Sequence, residues 1–126
     1  MNVKGIGIDV VNVRRIETLL KNHPERFKDK VFTAEEYRYA KEKSNGDRQQ
    51  LASILAARWA AKEAVVKAMG TGFGDGLYWQ HVEIISEGGP PQVRLQNTPK
   101  QFEGTRFLLS MSHDYPTATA MAMVTA

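Results

Sequence analysis

Residues 48–69, RQQLASILAARWAAKEAVVKAM, decide how this chain folds. They are rich in Ala, Leu, Gln, Lys and Glu, all good helix formers. Asp47 or Arg48 starts the helix, and Gly70 stands where a C-terminal stop belongs. The charged residues Arg58, Lys62, Glu63 and Lys67 are embedded among alanines and bulky apolar residues, which predicts a helix largely buried in the protein.

Upstream, Thr33-Ala34-Glu35-Glu36 has the pattern of a capping box and opens a helix to about Lys43. Ser44-Asn45-Gly46 breaks the chain before the long helix. Asn12 caps an earlier helix running to about Asn22, with Val13, Ile16, Leu19 and Leu20 at helical spacing. Pro24 breaks that helix, and a short turn containing Phe27 follows. Residues 3–11, VKGIGIDVV, are short, β-branched and nearly all apolar, as in a buried strand.

Downstream the pattern changes to strand. Trp79 to Ser86 and Gln92 to Gln96 are joined by a Gly-Pro-rich turn. Thr98-Pro99 opens only a short helical turn. Arg106 to Ser112 and Thr117 to Thr125 alternate and form a hairpin. The expected architecture is α+β, an antiparallel sheet packed against a long helix, in one domain spanning 1–126.

The bulk properties are those of a globular chain: 126 residues, 42% hydrophobic and 25% charged. There is no cysteine, which excludes disulfides, thiolate metal sites and cysteine nucleophiles. No signal peptide is visible, and no apolar run approaches the roughly 20 residues of a membrane span. A cytoplasmic protein is expected. Residues 1–48 hold eleven Lys/Arg against eight Asp/Glu, and residues 49–126 hold six of each, so the net charge of +3 lies in the first part. That excess is either a solvated surface or a docking face for an acidic partner. The basic residues are interleaved with acids, which argues against nucleic acid.

Four features point to chemistry. Asp9 sits inside an apolar strand, where a carboxylate requires a cation, a metal or hydrogen-bond donors unless the strand end is exposed. On the long helix, Arg58 and Lys62 share a face, as do Glu63 and Lys67. Glu63–Lys67 is the favourable orientation of an ordinary ion pair, but the apolar surroundings ask for more. Gly70-Thr71-Gly72-Phe73-Gly74-Asp75-Gly76 is either a tight turn or a place where backbone approaches a ligand. It is not a phosphate loop of the Gly-Lys-Ser/Thr kind, and Gly5-Ile6-Gly7 lacks the third glycine of a dinucleotide fingerprint. His113 ends a strand face shared by Phe107, Leu109 and Met111. His23 and His81 have no such context.

Three stretches in this order resemble the holo-acyl-carrier-protein synthase family of phosphopantetheinyl transferases. Gly5-Ile6-Gly7-Ile8-Asp9 followed by Arg15 is similar to the family's G-x-D strand and arginine-bearing helix. Lys62-Glu63-Ala64-Val65-Val66-Lys67-Ala68 resembles its K-E-A-x-x-K-A signature. Ser110-Met111-Ser112-His113 before an alanine-rich last strand resembles its C-terminal motif. The likeness runs over nearly the whole chain, with one departure: the Asn97–Gly104 region is short where related chains often carry a longer helix.

The resemblance implies the 4'-phosphopantetheinyl transferase fold and transfer of phosphopantetheine from coenzyme A to a serine of an acidic apo acyl carrier protein. Asp9 and Glu63 would hold Mg²⁺, and Lys67 would sit by the coenzyme diphosphate. Arg58, Lys62 and His113 would contact the coenzyme, including its 3'-phosphate, with Gly70 and Gly72 lining the same cleft. Arg15, Arg26 and Lys30 would face the carrier protein. The base would be Glu63, acting through a metal-bound water, or another carboxylate. Homotrimers with clefts between subunits are typical of this short class. Two other readings compete: a different Mg²⁺-dependent phosphoryl or nucleotidyl enzyme, and a non-catalytic module binding an acidic protein.

Overall fold

The computed structural model describes residues 2–74 and 76–126. Strand β1 (Val3–Asn12) leads directly into helix α1 (Val13–Asn22), because the Asn12 side chain accepts the Arg14 backbone N–H at 3.0 Å. Helix α2 (Pro24–Val31) follows. Pro24 does break α1, but residues 24–31 are a helix instead of the expected turn: proline in a first turn has no N–H to lose and a backbone already set for helix. Phe27 and Val31 are the buried residues of α2.

Helix α3 (Ala34–Ser44) carries the expected capping box. The Glu36 N–H donates to Thr33 Oγ1 at 3.2 Å, and the Thr33 N–H donates to Glu36 Oε1 at 2.8 Å. Helix α4 (Arg48–Met69) is capped by Asp47, which accepts the Gln50 N–H at 3.1 Å, and stops at Gly70 with φ +77°. Fourteen of its 22 residues are buried. It is therefore the central helix, around which the core assembles. Fully burying a side chain such as Leu55 or Val65 contributes about 1.5–3 kcal/mol.

The second half is a two-stranded sheet, β2 (Val82–Ile85) with β3 (Gln92–Leu95), and a hairpin, β4 (Arg106–Asp114) with β5 (Thr117–Thr125). Trp79–His81 is a 3-10 turn, not the start of a strand. There the His81 N–H donates to the Tyr78 carbonyl at 3.0 Å, closing the turn, and the Trp79 carbonyl is taken by the Lys62 ammonium. Lys100–Phe102 forms a second short 3-10 turn. Strand β5 pairs antiparallel with both β4 and β1, giving the order β1-β5-β4.

One face of this sheet lies on α4. Gly5, Gly7, Asp9 and Val11 share that face with Val124, Ala122, Ala120 and Ala118, their partners on β5. A Cβ on Gly5 would collide with the Ala68 carbonyl oxygen, and one on Gly7 with that of Ala64. Strand and helix thus meet backbone to backbone, which places Asp9 over the last turns of α4. The opposite face exposes Ile6, Ile8, Val10, Leu108 and Met121.

Candidate active site

The close approach of β1 to α4 brings Asp9, Glu63 and Lys67 together. The Lys67 ammonium donates to Asp9 Oδ1 and to the Ile8 carbonyl, both at 3.0 Å. Asp9 is further fixed through its own carbonyl, which accepts Thr119 Oγ1 at 2.9 Å. Glu63 is half-buried beside this pair. Its burial raises its proton affinity first and the Asp9 charge adds to that, while Lys67 and Arg15 act in the opposite direction.

Two carboxylates repelling each other, with a lysine that only partly compensates, fit a divalent cation. The donor set suits Mg²⁺, which takes one or two carboxylates and fills its other positions with water and phosphate oxygens. Among the described residues no group of three or more His, Cys, Asp or Glu side chains is placed to hold a metal.

Arg58 lies in a different cluster. It is 3% exposed, its guanidinium stands 4.4 Å over the Tyr39 ring, and Nη2 donates to Ser86 Oγ at 3.0 Å. Among the described residues its Nε is buried without a partner. Burial pulls this guanidinium below its ordinary proton affinity. A pocket of about 350 Å³ beside it is lined by Tyr39, Lys43, Gln50, Met111 and His113 among others. A second pocket of about 360 Å³ also reaches Arg58, but Glu35, Glu42, Glu83 and Glu87 line it. The first brings Arg58, Lys43 and His113 together with no acid in its lining, whereas the second sets glutamates against Arg38, Arg58 and Arg94.

The expected ligand contact of Lys62 is corrected. Lys62 is fully buried, and its ammonium donates to Glu36 Oε1 at 2.8 Å, the Trp79 carbonyl at 2.9 Å and the Val82 carbonyl at 2.7 Å. An ammonium has three N–H donors and all are used. Burial works against its charge and Glu36 supports it. Within one chain Gly70 and Gly72 stand apart from the pocket of Arg58 and His113. They follow Lys67 at the end of α4, where the Thr71 N–H donates to the Val66 carbonyl at 3.2 Å. Asp75 of the same loop lies outside the described residues.

Arg15, Arg26 and Lys30 line one groove of about 490 Å³, whose floor is Leu19, Phe27, Trp59 and Trp79. The Arg15 guanidinium sits 5.2 Å from the Trp59 ring. Sequence reasoning missed Tyr39, Lys43 and Ser86 around Arg58, and both tryptophans of the groove. Trp59, one residue after Arg58, offered the only signal: a large aromatic on a helix otherwise built from alanine at its centre.

The family model described as the 4'-phosphopantetheinyl transferase superfamily matches residues 5–120, a span containing every candidate site residue. The chain belongs to that superfamily. Among curated superfamily members, the holo-[acyl-carrier-protein] synthase of Protochlamydia amoebophila is 41% identical over 121 residues, covering 94% of this chain and 95% of that protein. The crystal structure of a Bacillus anthracis holo-(acyl-carrier-protein) synthase in complex with CoA (3',5'-ADP) is similar with a TM-score of 0.80 and 30% identity, over 98% of this chain and 97% of that one. The Helicobacter pylori holo-[acyl-carrier-protein] synthase in complex with coenzyme A gives 0.81 and 28%, over 95% and 99%. The α+β architecture of a long helix against an antiparallel sheet is therefore the phosphopantetheinyl transferase fold, as expected.

Proposed function

We propose that this chain is a holo-acyl-carrier-protein synthase, transferring 4'-phosphopantetheine from coenzyme A to a serine of an apo acyl carrier protein. The observation that carries the reading is the meeting of Asp9, Glu63 and Lys67 where β1 lies against α4, in a member of this superfamily.

In the transfer, the serine oxygen attacks the β-phosphorus of the coenzyme diphosphate and forms a new P–O bond. The bond from that phosphorus to the bridging oxygen breaks, and 3',5'-ADP leaves with the electron pair. Asp9 and Glu63 would hold Mg²⁺, whose contribution when bound is to withdraw charge from the diphosphate and orient it. Lys67 is half-exposed beside Asp9 and supplies positive charge where the leaving oxygen becomes negative. A serine hydroxyl is a poor nucleophile until it loses its proton. Glu63, acting through a water, or another carboxylate would accept that proton.

The remaining clusters divide the two substrates. Arg58, Lys43 and His113 take the 3'-phosphate end of the coenzyme, a role supported by the unpartnered Arg58 Nε and the absence of acids from the pocket. Arg15, Arg26 and Lys30 receive acidic residues of the carrier protein along the groove. In one chain the Arg58 pocket shares no lining residue with the Asp9–Glu63–Lys67 cluster. A homotrimer with each cleft between two subunits reconciles them, one copy giving the acids and its neighbour the Arg58 pocket. The apolar outer face of the sheet, with Ile8 65% and Val10 66% exposed, is the surface such an assembly would bury. No described helix is long and apolar enough to cross a membrane. With no cysteine in the chain, a cytoplasmic place in lipid metabolism fits the reading.

The test is to incubate the protein with coenzyme A, Mg²⁺ and apo carrier protein and weigh the carrier by mass spectrometry. Gain of one phosphopantetheine arm supports the reading. An unchanged carrier at saturating substrate refutes it.

A further inference from the structure

Lys62 stands one residue before Glu63 and four after Arg58, yet it reaches neither of their pockets. Its three N–H donors join three separate pieces of chain: Glu36 on α3, Trp79 on the 3-10 turn and Val82 at the start of β2. Glu36 is 2% exposed and fully engaged as well, accepting the Thr33 N–H through Oε1 and the Ile84 N–H through Oε2, both at 2.8 Å. Glu83 accepts Thr33 Oγ1 at 2.6 Å and closes the network. Well-packed apolar residues commonly match a buried ion pair in stability, so a charge kept here calls for a second reason.

Trp79 supplies that reason. Its carbonyl is fixed by Lys62, while its ring stands 4.8 Å from Trp59 and stacks on Phe73 at 4.1 Å. The Trp79 side chain lines the groove that also holds Arg15, Arg26 and Lys30. Within the turn His81 Nδ1 accepts the Tyr78 N–H at 3.0 Å, and Gln80 donates to the Phe32 carbonyl at 2.8 Å. The Lys62 ammonium ties this turn to the buried helix, beneath the groove's aromatic floor.

We propose that Lys62 is a positioning residue for recognition of the carrier protein: from inside the core it holds the Trp79 turn so that the indole completes the basic groove. This rests on the transfer reading above. It assigns Lys62 to the protein substrate and separates it from the coenzyme.

The experiment compares Lys62→Met, Trp79→Ala and the double variant with the unaltered protein. Each is assayed for KM toward carrier protein and toward coenzyme A, with near-ultraviolet circular dichroism of the paired indoles. Lys62→Met should raise the carrier KM roughly tenfold while moving the coenzyme KM by less than about twofold, and should weaken the indole signal. Trp79→Ala leaves the backbone carbonyl in place and should raise the carrier KM similarly, and the double variant should add nothing further. A rise in the coenzyme KM alone, equal rises in both, no change in either, or an unaffected carrier KM in Trp79→Ala each overturns the proposal. Should Lys62→Met fail to fold, Lys62→Met with Glu36→Gln removes the stranded carboxylate together with the ammonium and is read in the same way. If the unaltered protein transfers nothing, the transfer reading falls and takes this one with it. If it transfers but the KM pattern is wrong, only the assignment of Lys62 falls.

Discussion

The Asp9 carboxylate and the Lys67 ammonium meet at 3.0 Å although 58 residues separate them in the chain. Lys67 is half-exposed, so the pair contributes little to stability in water. What the contact does is mark where strand and helix converge, with Glu63 beside it in a setting that disfavours its charge.

That setting gives a pH dependence with a definite sign. Glu63 holds its proton more tightly folded than unfolded, so it supports the fold fully below the ordinary glutamate value of 4.5, and that support is lost as pH rises through the raised folded value. Thermal melts without divalent ions should show this loss, and Mg²⁺ at neutral pH should reverse it. Glu63→Gln should flatten the acid-range slope and remove the Mg²⁺ response. A slope and a Mg²⁺ response identical in Glu63→Gln and the unaltered protein would contradict the assignment.

Asp9→Asn and Glu63→Gln should each lower turnover by on the order of a hundredfold or more, the scale of losing a major electrostatic element of a site. Circular dichroism should show the fold intact. Full activity in either variant would exclude that residue from the metal site.

Charge reversal along the groove should separate docking from chemistry. Arg26→Glu and Lys30→Glu should each raise the carrier KM by several-fold to roughly tenfold and leave the coenzyme KM in place. The salt dependence of the carrier KM should flatten as charges are removed. Variants that keep the native salt dependence would show that the groove does not receive the carrier.

Much of this fold was legible because its decisive signals are local. Asn12, Thr33, Asp47 and Gly70 begin or end helices through contacts a few residues away, and each works as the sequence suggests. Pro24 ends the first helix as expected, but the turn expected after it is a helix, because proline also suits a helix's first turn. Lys62 was misread because its fate depends on Glu36, Trp79 and Val82, all brought in by tertiary packing. Lys43 and Tyr39 gave no signal, since only the packing of both α3 and β4 on α4 puts them in one pocket with His113.

The exposed sheet face gives a test of assembly. Ile8→Lys changes a side chain that is 65% exposed in the single chain, so folding should be retained. Light scattering coupled to size exclusion should show a trimer for the unaltered protein and a smaller species for the variant, with activity falling alongside. A monomeric, fully active unaltered protein would rule out clefts shared between subunits.

The contact of β1 with α4 leaves no room for a methyl group. Gly7→Ala meets the Ala64 carbonyl and the Ala68 nitrogen, and overpacking of this kind costs about 1–3 kcal/mol. The melting temperature should drop, and transfer should fall further than stability alone explains, because Asp9 is pushed off α4. Native activity in a folded Gly7→Ala protein would show that this spacing is not critical.

The chain has two tryptophans, and both stand in the floor of the groove in a row of rings running from Phe73 through Trp79 and Trp59 to Phe27. The tryptophan emission, excited selectively over the four tyrosines, is therefore a signal from that floor. Arrival of a partner can be followed by its emission with no label attached, and in real time.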